Sequence, residues 1–194
     1  MIFCLAEKND ALQLAQVHKT EISGGFLSSL HINFLKIFYL ALIESKYSFC
    51  VVAKENNKVI GFISGVFDMS KFYKYFLSHY FFQSFVILLP KIFSSFKKIL
   101  ESFLYPKKEQ SLPKAELLTI AIIKKFQGQG LGKLLLDVFL DQMKQRNITV
   151  FKVVVGEELI NAIKFYEKNN FTFLKNISIH TNAPSRVYCY EIKK

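Results

Sequence analysis

Leu117-Leu-Thr-Ile-Ala-Ile-Ile123 runs directly into Lys124-Lys-Phe-Gln127-Gly-Gln-Gly130-Leu-Gly132-Lys133-Leu-Leu-Leu136, and the reading of this stretch decides the fold. The first part is apolar, partly β-branched and bounded by charge, the pattern of a buried strand. The last part opens a helix, because Leu131, Leu134, Leu135, Val138, Phe139 and Met143 recur at helical spacing and make one apolar face. Between them lies a turn with glycines at 128, 130 and 132. A strand, a glycine-rich turn and a helix N-terminus in that order place unpaired N–H groups at the positive end of the helix dipole. Such a site suits a phosphate or pyrophosphate, and glycine lets the backbone come close to it.

Spacing narrows the ligand. A dinucleotide fingerprint would need glycine where Lys133 stands. A P-loop would need glycine at Gln127 and a hydroxyl at Leu134. Neither fits. The run Gln127-Gly-Gln-Gly130-Leu-Gly132 instead resembles the pyrophosphate-binding signature of the GNAT family of acetyl-CoA-dependent N-acetyltransferases, Gln/Arg-x-x-Gly-x-Gly/Ala. A second stretch, Asn161-Ala-Ile-Lys-Phe165-Tyr166-Glu-Lys-Asn-Asn-Phe171, is similar to the family's other signature, Asn-x-x-Ala-x-x-Phe-Tyr-x-x-x-Gly-Phe. It departs from that form in two places: the alanine is displaced to 162, and Asn170 replaces the usual glycine.

The rest of the chain agrees in order. A strand is expected over 2–6, a helix over 11–19 capped by Asn9 or Asp10, a loop over 22–27 and a mostly buried helix over 30–45. Strands over 47–54 and 59–67 flank Glu55-Asn-Asn-Lys58, a hairpin signal. After the central strand and helix come a strand over 149–155, a helix over 159–169 and strands over 171–179 and 186–192. The resemblance therefore implies one GNAT domain over 1–194, an α/β fold with a mixed central sheet of about seven strands flanked by helices. Residues 68–113 are a helical insertion between the third and fourth strands, where many of these enzymes have a short connection. Nine of the chain's 21 phenylalanines lie between 67 and 103, which is too apolar for a solvated loop. Pro90 should divide the insertion into two helices within 70–108. Packed on the core, these would roof the acceptor site. Left outward beside Lys91, Lys97, Lys98, Lys107 and Lys108, their aromatic faces would meet an anionic membrane.

The resemblance also assigns roles. The pantetheine arm of acetyl-CoA would pair with the backbone at Ile120, Ala121 and Ile122, and the pyrophosphate would sit on Gln127, Gly128, Gln129, Gly130, Leu131, Gly132 and Lys133. Asn161 and Phe165 would complete the cofactor site. Glu116 would take the amine proton through water, and Tyr166 would protonate the departing thiolate. A primary amine of a small metabolite, an amino sugar on a nucleotide or lipid carrier first among them, is the expected acceptor. Protein N-acetylation, or a non-catalytic acyl-CoA-binding or membrane-surface module, are the alternatives.

Composition bounds the rest. A chain with 51% hydrophobic and 21% charged residues can fold around a core. The N-terminus lacks the basic start and apolar core of a signal peptide, and the apolar run 81–89 is about half the ~20 residues a bilayer requires. A cytoplasmic protein is expected, with peripheral membrane contact as the variant. The three cysteines read as buried reduced thiols, and no His or Cys pair has ligand spacing, so no metal is expected. A net charge of +11 raises the question of nucleic acid. The lysines are dispersed and arginine occurs only at 146 and 186, so an anionic cofactor or surface is the expected partner and nucleic acid is not.

Overall fold

The computed structural model describes residues 1–22, 24, 26–88, 111–180 and 183–193. Within it Phe49, Val51 and Ala53 face one apolar core, while Cys50 and Val52 face another. That period of two belongs to a strand covered on both sides. The strands are β1 (Ile2–Leu5), β2 (Ser48–Glu55), β3 (Lys58–Val66), β4 (Glu116–Ile122), β5 (Val150–Gly156), β6 (Thr172–His180) and β7 (Ala183–Glu191). They form one seven-stranded sheet in the order β1-β2-β3-β4-β5-β7-β6. Neighbours are antiparallel except β4 and β5, which run parallel.

Helices cover both faces. On one lie α1 (Ala11–Glu21), α3 (Ile32–Glu44) and α4 (Met69–Leu88), and a short helix, α2 (Phe26–Ser29), lies within the region read as a loop. On the other lie α5 (Leu131–Gln145) and α6 (Ile160–Lys168). The architecture is the expected α/β sandwich, with seven strands between two helical layers. In α5 the inward face is Leu131, Leu135, Leu136, Phe139 and Met143, whereas Leu134 is 49% exposed. Residues four apart hold the face, and a neighbour one position off the row turns to solvent.

The insertion begins as a helix. α4 runs unbroken for 20 residues to Leu88, two short of Pro90, and buries Phe72, Phe76 and Tyr80 against α3. Edge-to-face contacts hold it there, Phe38 with Phe72 at 5.8 Å and Phe34 with Phe76 at 6.1 Å between centroids. The second expected helix and its five lysines lie outside the described residues.

Asparagines close three turns, one of them Asn147, at φ of 57°, just past the end of α5. Asn56 and Asn57, at φ of 48° and 62°, make the β2–β3 hairpin turn, whose two left-handed positions suit asparagine. Asn170, at φ of 65°, follows the end of α6 and turns the chain into β6. It performs the left-handed job for which the family form uses glycine. Asn170→Gly should therefore keep or raise the unfolding midpoint, whereas Asn170→Val should lose about 1–2 kcal/mol in urea denaturation, the cost of a left-handed branched residue. Equal stability of the valine variant would refute the assignment.

Candidate active site

β4 and β5 pair only at their beginnings, Glu116 with Lys152 and Leu117 with Val153. β4 otherwise pairs through its far edge with β3, from Val66–Glu116 to Gly61–Ile122. The register with β3 slips by one between Leu117 and Thr119, so Leu118 is an extra residue on β4, a bulge that re-aims the backbone. β5, for its part, pairs along its whole length with β7. The two halves of the sheet thus part beyond Leu117. Into the opening reaches a cleft of 1130 Å³ whose walls include Leu118–Ile122 from β4 and Val153–Gly156 from β5.

At the mouth of the parting stands the glycine-rich turn. Gly128 and Gly130 adopt φ of 77° and 81°, and open space surrounds the position a Cβ would take on each. Conformation, not crowding, requires glycine there. Gly132 differs: a Cβ would stand 3.1 Å from Phe165 of α6, so glycine allows α6 to lie against α5. Gly130 caps α5 without a side chain, leaving the first turn's donors to the solvent side. The N–H of Gln127 donates to Lys124 O and that of Lys133 to Gly130 O, so the donors between them are the ones available to a ligand. The Gln127 amide donates to Ile122 O at 2.8 Å and ties the turn to the end of β4. Lys133 is paired with Asp137 along the helix.

Gln127 and Gly132 reach the cleft wall, as do Ile120, Ala121, Ile122, Asn161, Phe165, Tyr166 and Glu116. Gly128, Gln129, Gly130, Leu131 and Lys133 lie outside that wall, on the turn at its rim. Asn161 is not a helix cap, because Leu159 holds that position. Tyr166 is buried, with Phe165 and Phe171 around it, and burial pushes its phenol well above the usual value. It keeps its proton at physiological pH.

Glu116 is buried too, and burial raises its pKa above the usual carboxylate value. Opposing that is Lys152, whose Nζ stands 3.1 Å from Oε2 and also donates to Pro113 O. Lys152 is a residue that sequence reasoning missed, for it lies in the middle of a strand pattern where lysine reads as an outward residue. Tyr73 was missed as well. Projecting from α4 into the same cleft, it has its phenol raised first by burial and then by the charge of Glu116. His18 completes the wall. Its Nδ1 meets Tyr39 Oη at 2.6 Å and its Nε2 meets Ser28 Oγ at 3.1 Å. Burial, aided by Lys19, lowers its pKa to about 4, so the ring is neutral and both nitrogens are engaged. His18 shapes the wall with no ring nitrogen left free.

A sheet parted at a parallel pair, with a glycine-rich helix start at the opening, is the arrangement that the resemblance to acyl-coenzyme A-dependent acyltransferases leads one to expect. The sequence profile of the "Acetyltransferase (GNAT) family" matches residues 20–171, and the chain belongs to that family, whose members are acetyl-CoA-dependent N-acetyltransferases. No curated protein sequence matches the chain. Solved structures similar to it include the ribosomal-protein-S18-alanine N-acetyltransferase of Escherichia coli, with a TM-score of 0.64 at 15% identity over 100% of this chain and 94% of that one. An N-acetyltransferase from Staphylococcus aureus gives 0.64 at 13% identity, over 99% and 98% of the two chains. A Salmonella typhimurium structure solved with its cofactor acetyl-CoA gives 0.62 at 13%, over 100% and 95%.

The Glu116–Lys152 pair carries a testable consequence. Lys152→Met removes the charge that restrains the Glu116 pKa, which then rises further. A carboxyl whose folded pKa exceeds its unfolded value is stabilising below the unfolded pKa, and that contribution is lost as pH rises through the folded one. The variant should therefore be about 3–5 kcal/mol less stable near neutrality, the usual cost of orphaning one member of a buried pair, and recover toward wild type in acid. Urea unfolding across pH measures both, and a pH-independent loss would contradict the pairing.

Proposed function

We propose that this cleft transfers the acetyl group of acetyl-CoA to the primary amine of a small molecule enclosed beneath α4, with Glu116 as the base and Tyr166 as the acid. The observation that carries the reading is the convergence of both residues, from β4 and α6, on the one cleft that also opens at the glycine-rich turn. A non-catalytic acyl-CoA-binding module would have no use for two titratable side chains there. A largely apolar lining favours a small acceptor with an apolar part over a protein segment, whose backbone groups would need polar partners.

The residues fit the cofactor on three counts. The N–H groups of residues 128–132 at the start of α5 would hold the pyrophosphate. The edge of β4 freed from β5 offers Ile120, Ala121 and Ile122 as an extended backbone for the pantetheine arm, with Asn161 and Phe165 facing it. The side chains beside the turn leave its backbone approachable, since nothing lies within 4 Å of a Cβ built at 128 or 130. Acetyl-CoA, when bound, supplies an activated acyl group.

The protein's part is proton management and water exclusion. Glu116 would accept the ammonium proton, directly or through water, because only a neutral amine is nucleophilic. Lys152 keeps that carboxylate available by opposing its desolvation. Tyr166, protonated by virtue of its burial, would hold a proton at Oη for the departing sulfur. The buried rings of Phe72 and Phe76 at the start of α4 would keep water from that end of the cleft, which strengthens both electrostatic effects.

Glu116 with a raised pKa should place the acidic limb of the kcat/KM profile above the ordinary carboxylate range, and Glu116→Gln should abolish that limb together with most activity. Tyr166→Phe should lower kcat by about 10- to 1000-fold with cofactor affinity nearly unchanged, since a general acid acts on the transition state. Turnover equal to wild type, with chemistry rate-limiting, would remove Tyr166 from the mechanism. Calorimetry with Gly130→Glu tests the cofactor: the side chain would force strain at φ of 81° and bring negative charge to the pyrophosphate position, so acetyl-CoA binding should be lost. A folded variant that binds as tightly as wild type would overturn the assignment of the turn.

A further inference from the structure

The cleft of 1130 Å³ has two parts, the stretch between β4 and β5 that the pantetheine arm would fill and a second stretch along α4. Residues of that helix line the cleft from Met69 and Tyr73, near Glu116, through Phe76 and Phe81 to Phe85 and Leu88. Those positions span the helix from end to end, about 28 Å at 1.5 Å per residue. The space is a groove laid along one helix face, not a rounded chamber.

Its lining is apolar. Phe34 and Phe38 of α3 continue the same apolar wall, packed edge-to-face on Phe76 of α4. Leu77, Phe81 and Phe85 are 43%, 49% and 41% exposed, so the groove opens to solvent along its outer side. From Phe76 to Leu88 the α4 lining has one polar side chain, Ser84, a buried hydroxyl without a partner among the described residues; the other polar lining groups, Glu21, Thr119, Glu158 and Asn161 among them, come from other elements, and His18 has both nitrogens occupied. A sugar ring set against these phenylalanines would leave several hydroxyls without partners, each at a desolvation cost that one serine cannot offset. A methylene chain has no such demand, and it matches both the shape and the chemistry.

Building on the transferase reading above, we infer that the groove along α4 holds a linear hydrocarbon chain borne by one of the two reactants, with the reacting end near Tyr73 and Glu116 and the chain running toward Leu88. The chain belongs either to the acyl group of a longer acyl-CoA or to an amine with an alkyl substituent. The reaction is the same in both cases. The amine nitrogen bonds to the thioester carbonyl carbon and the carbon–sulfur bond breaks. One proton passes from nitrogen to Glu116, and the leaving sulfur takes one from Tyr166.

Two series separate the sources. Calorimetry measures binding of acetyl-, butyryl-, octanoyl- and dodecanoyl-CoA. Thiol release from acetyl-CoA measures kcat/KM for ethyl-, butyl-, octyl- and dodecylamine. One series should climb by about fourfold per added methylene until the groove is filled, the yield expected from burying a methylene, and the climbing series identifies the reactant that bears the chain. Leu77→Trp, which places bulk at the groove's open side, should flatten that climb. Two flat series in a protein that binds acetyl-CoA would overturn the hydrocarbon groove and leave the transferase reading standing. An undiminished climb in Leu77→Trp would overturn the groove's location along α4. Failure to bind acetyl-CoA at all would defeat the transferase reading itself, and the groove with it.

Discussion

Two backbone pairs, Glu116 with Lys152 and Leu117 with Val153, join the halves of the sheet, and the rest of the structure depends on how little they join. β1 to β4 form an antiparallel unit, and β5, β7 and β6 form another. Had β4 and β5 paired throughout, every N–H and C=O on that edge would have a partner and the sheet would have no opening. Stopping after two pairs leaves an edge of β4 whose backbone groups need partners, and an extended ligand arm can supply them. The sheet is at once a scaffold and an incomplete one.

That junction is also where the charges are buried. Lys152 is the register partner of Glu116, so the salt bridge spans the pairs that hold the sheet together. A buried ion pair is not in itself a strong stabiliser, because desolvation consumes much of the attraction. Its effect here is local. It fixes the carboxylate where the two halves of the sheet diverge and sets how readily that carboxylate binds a proton. α4 depends on the same place. Its N-terminus sits beside it, with Met69 N–H reaching Lys114 O, and the helix then extends away along α3 as the roof of the cleft.

The site was legible to different degrees. The glycine-rich turn is local chemistry: positive φ at 128 and 130 and a helix start at 131 follow from residues adjacent in sequence. Glu116, Asn161, Phe165 and Tyr166 were named from a resemblance, and all four line one cleft, the first from β4 and the others from α6. Lys152 and Tyr73 carried no signal. Lysine in Phe151-Lys-Val-Val reads as a residue facing water, because pattern reasoning assumes that one face of a strand is wet. Tyr73 is one aromatic among many in an insertion whose helical periodicity is clear but whose direction is not. Leu134 erred the other way, an apolar residue at plausible spacing that faces solvent.

The sequence by itself determined what depends on neighbours along the chain: the order of the seven strands and of the five longer helices, the hairpin at Asn56-Asn57, the turn at Asn170, and the left-handed glycine turn ahead of α5. Periodicity and left-handed residues are encoded within a few positions of where they act. Only the tertiary structure decided that β4 and β5 part after two pairs, that Lys152 rather than solvent faces Glu116, and that α4 lies lengthwise over the cleft with its phenylalanines as one wall. Each of these joins residues some 30 or more positions apart. The contacts form because burying two apolar helix faces and closing a sheet is favourable for the whole molecule, and no short window of sequence contains that sum.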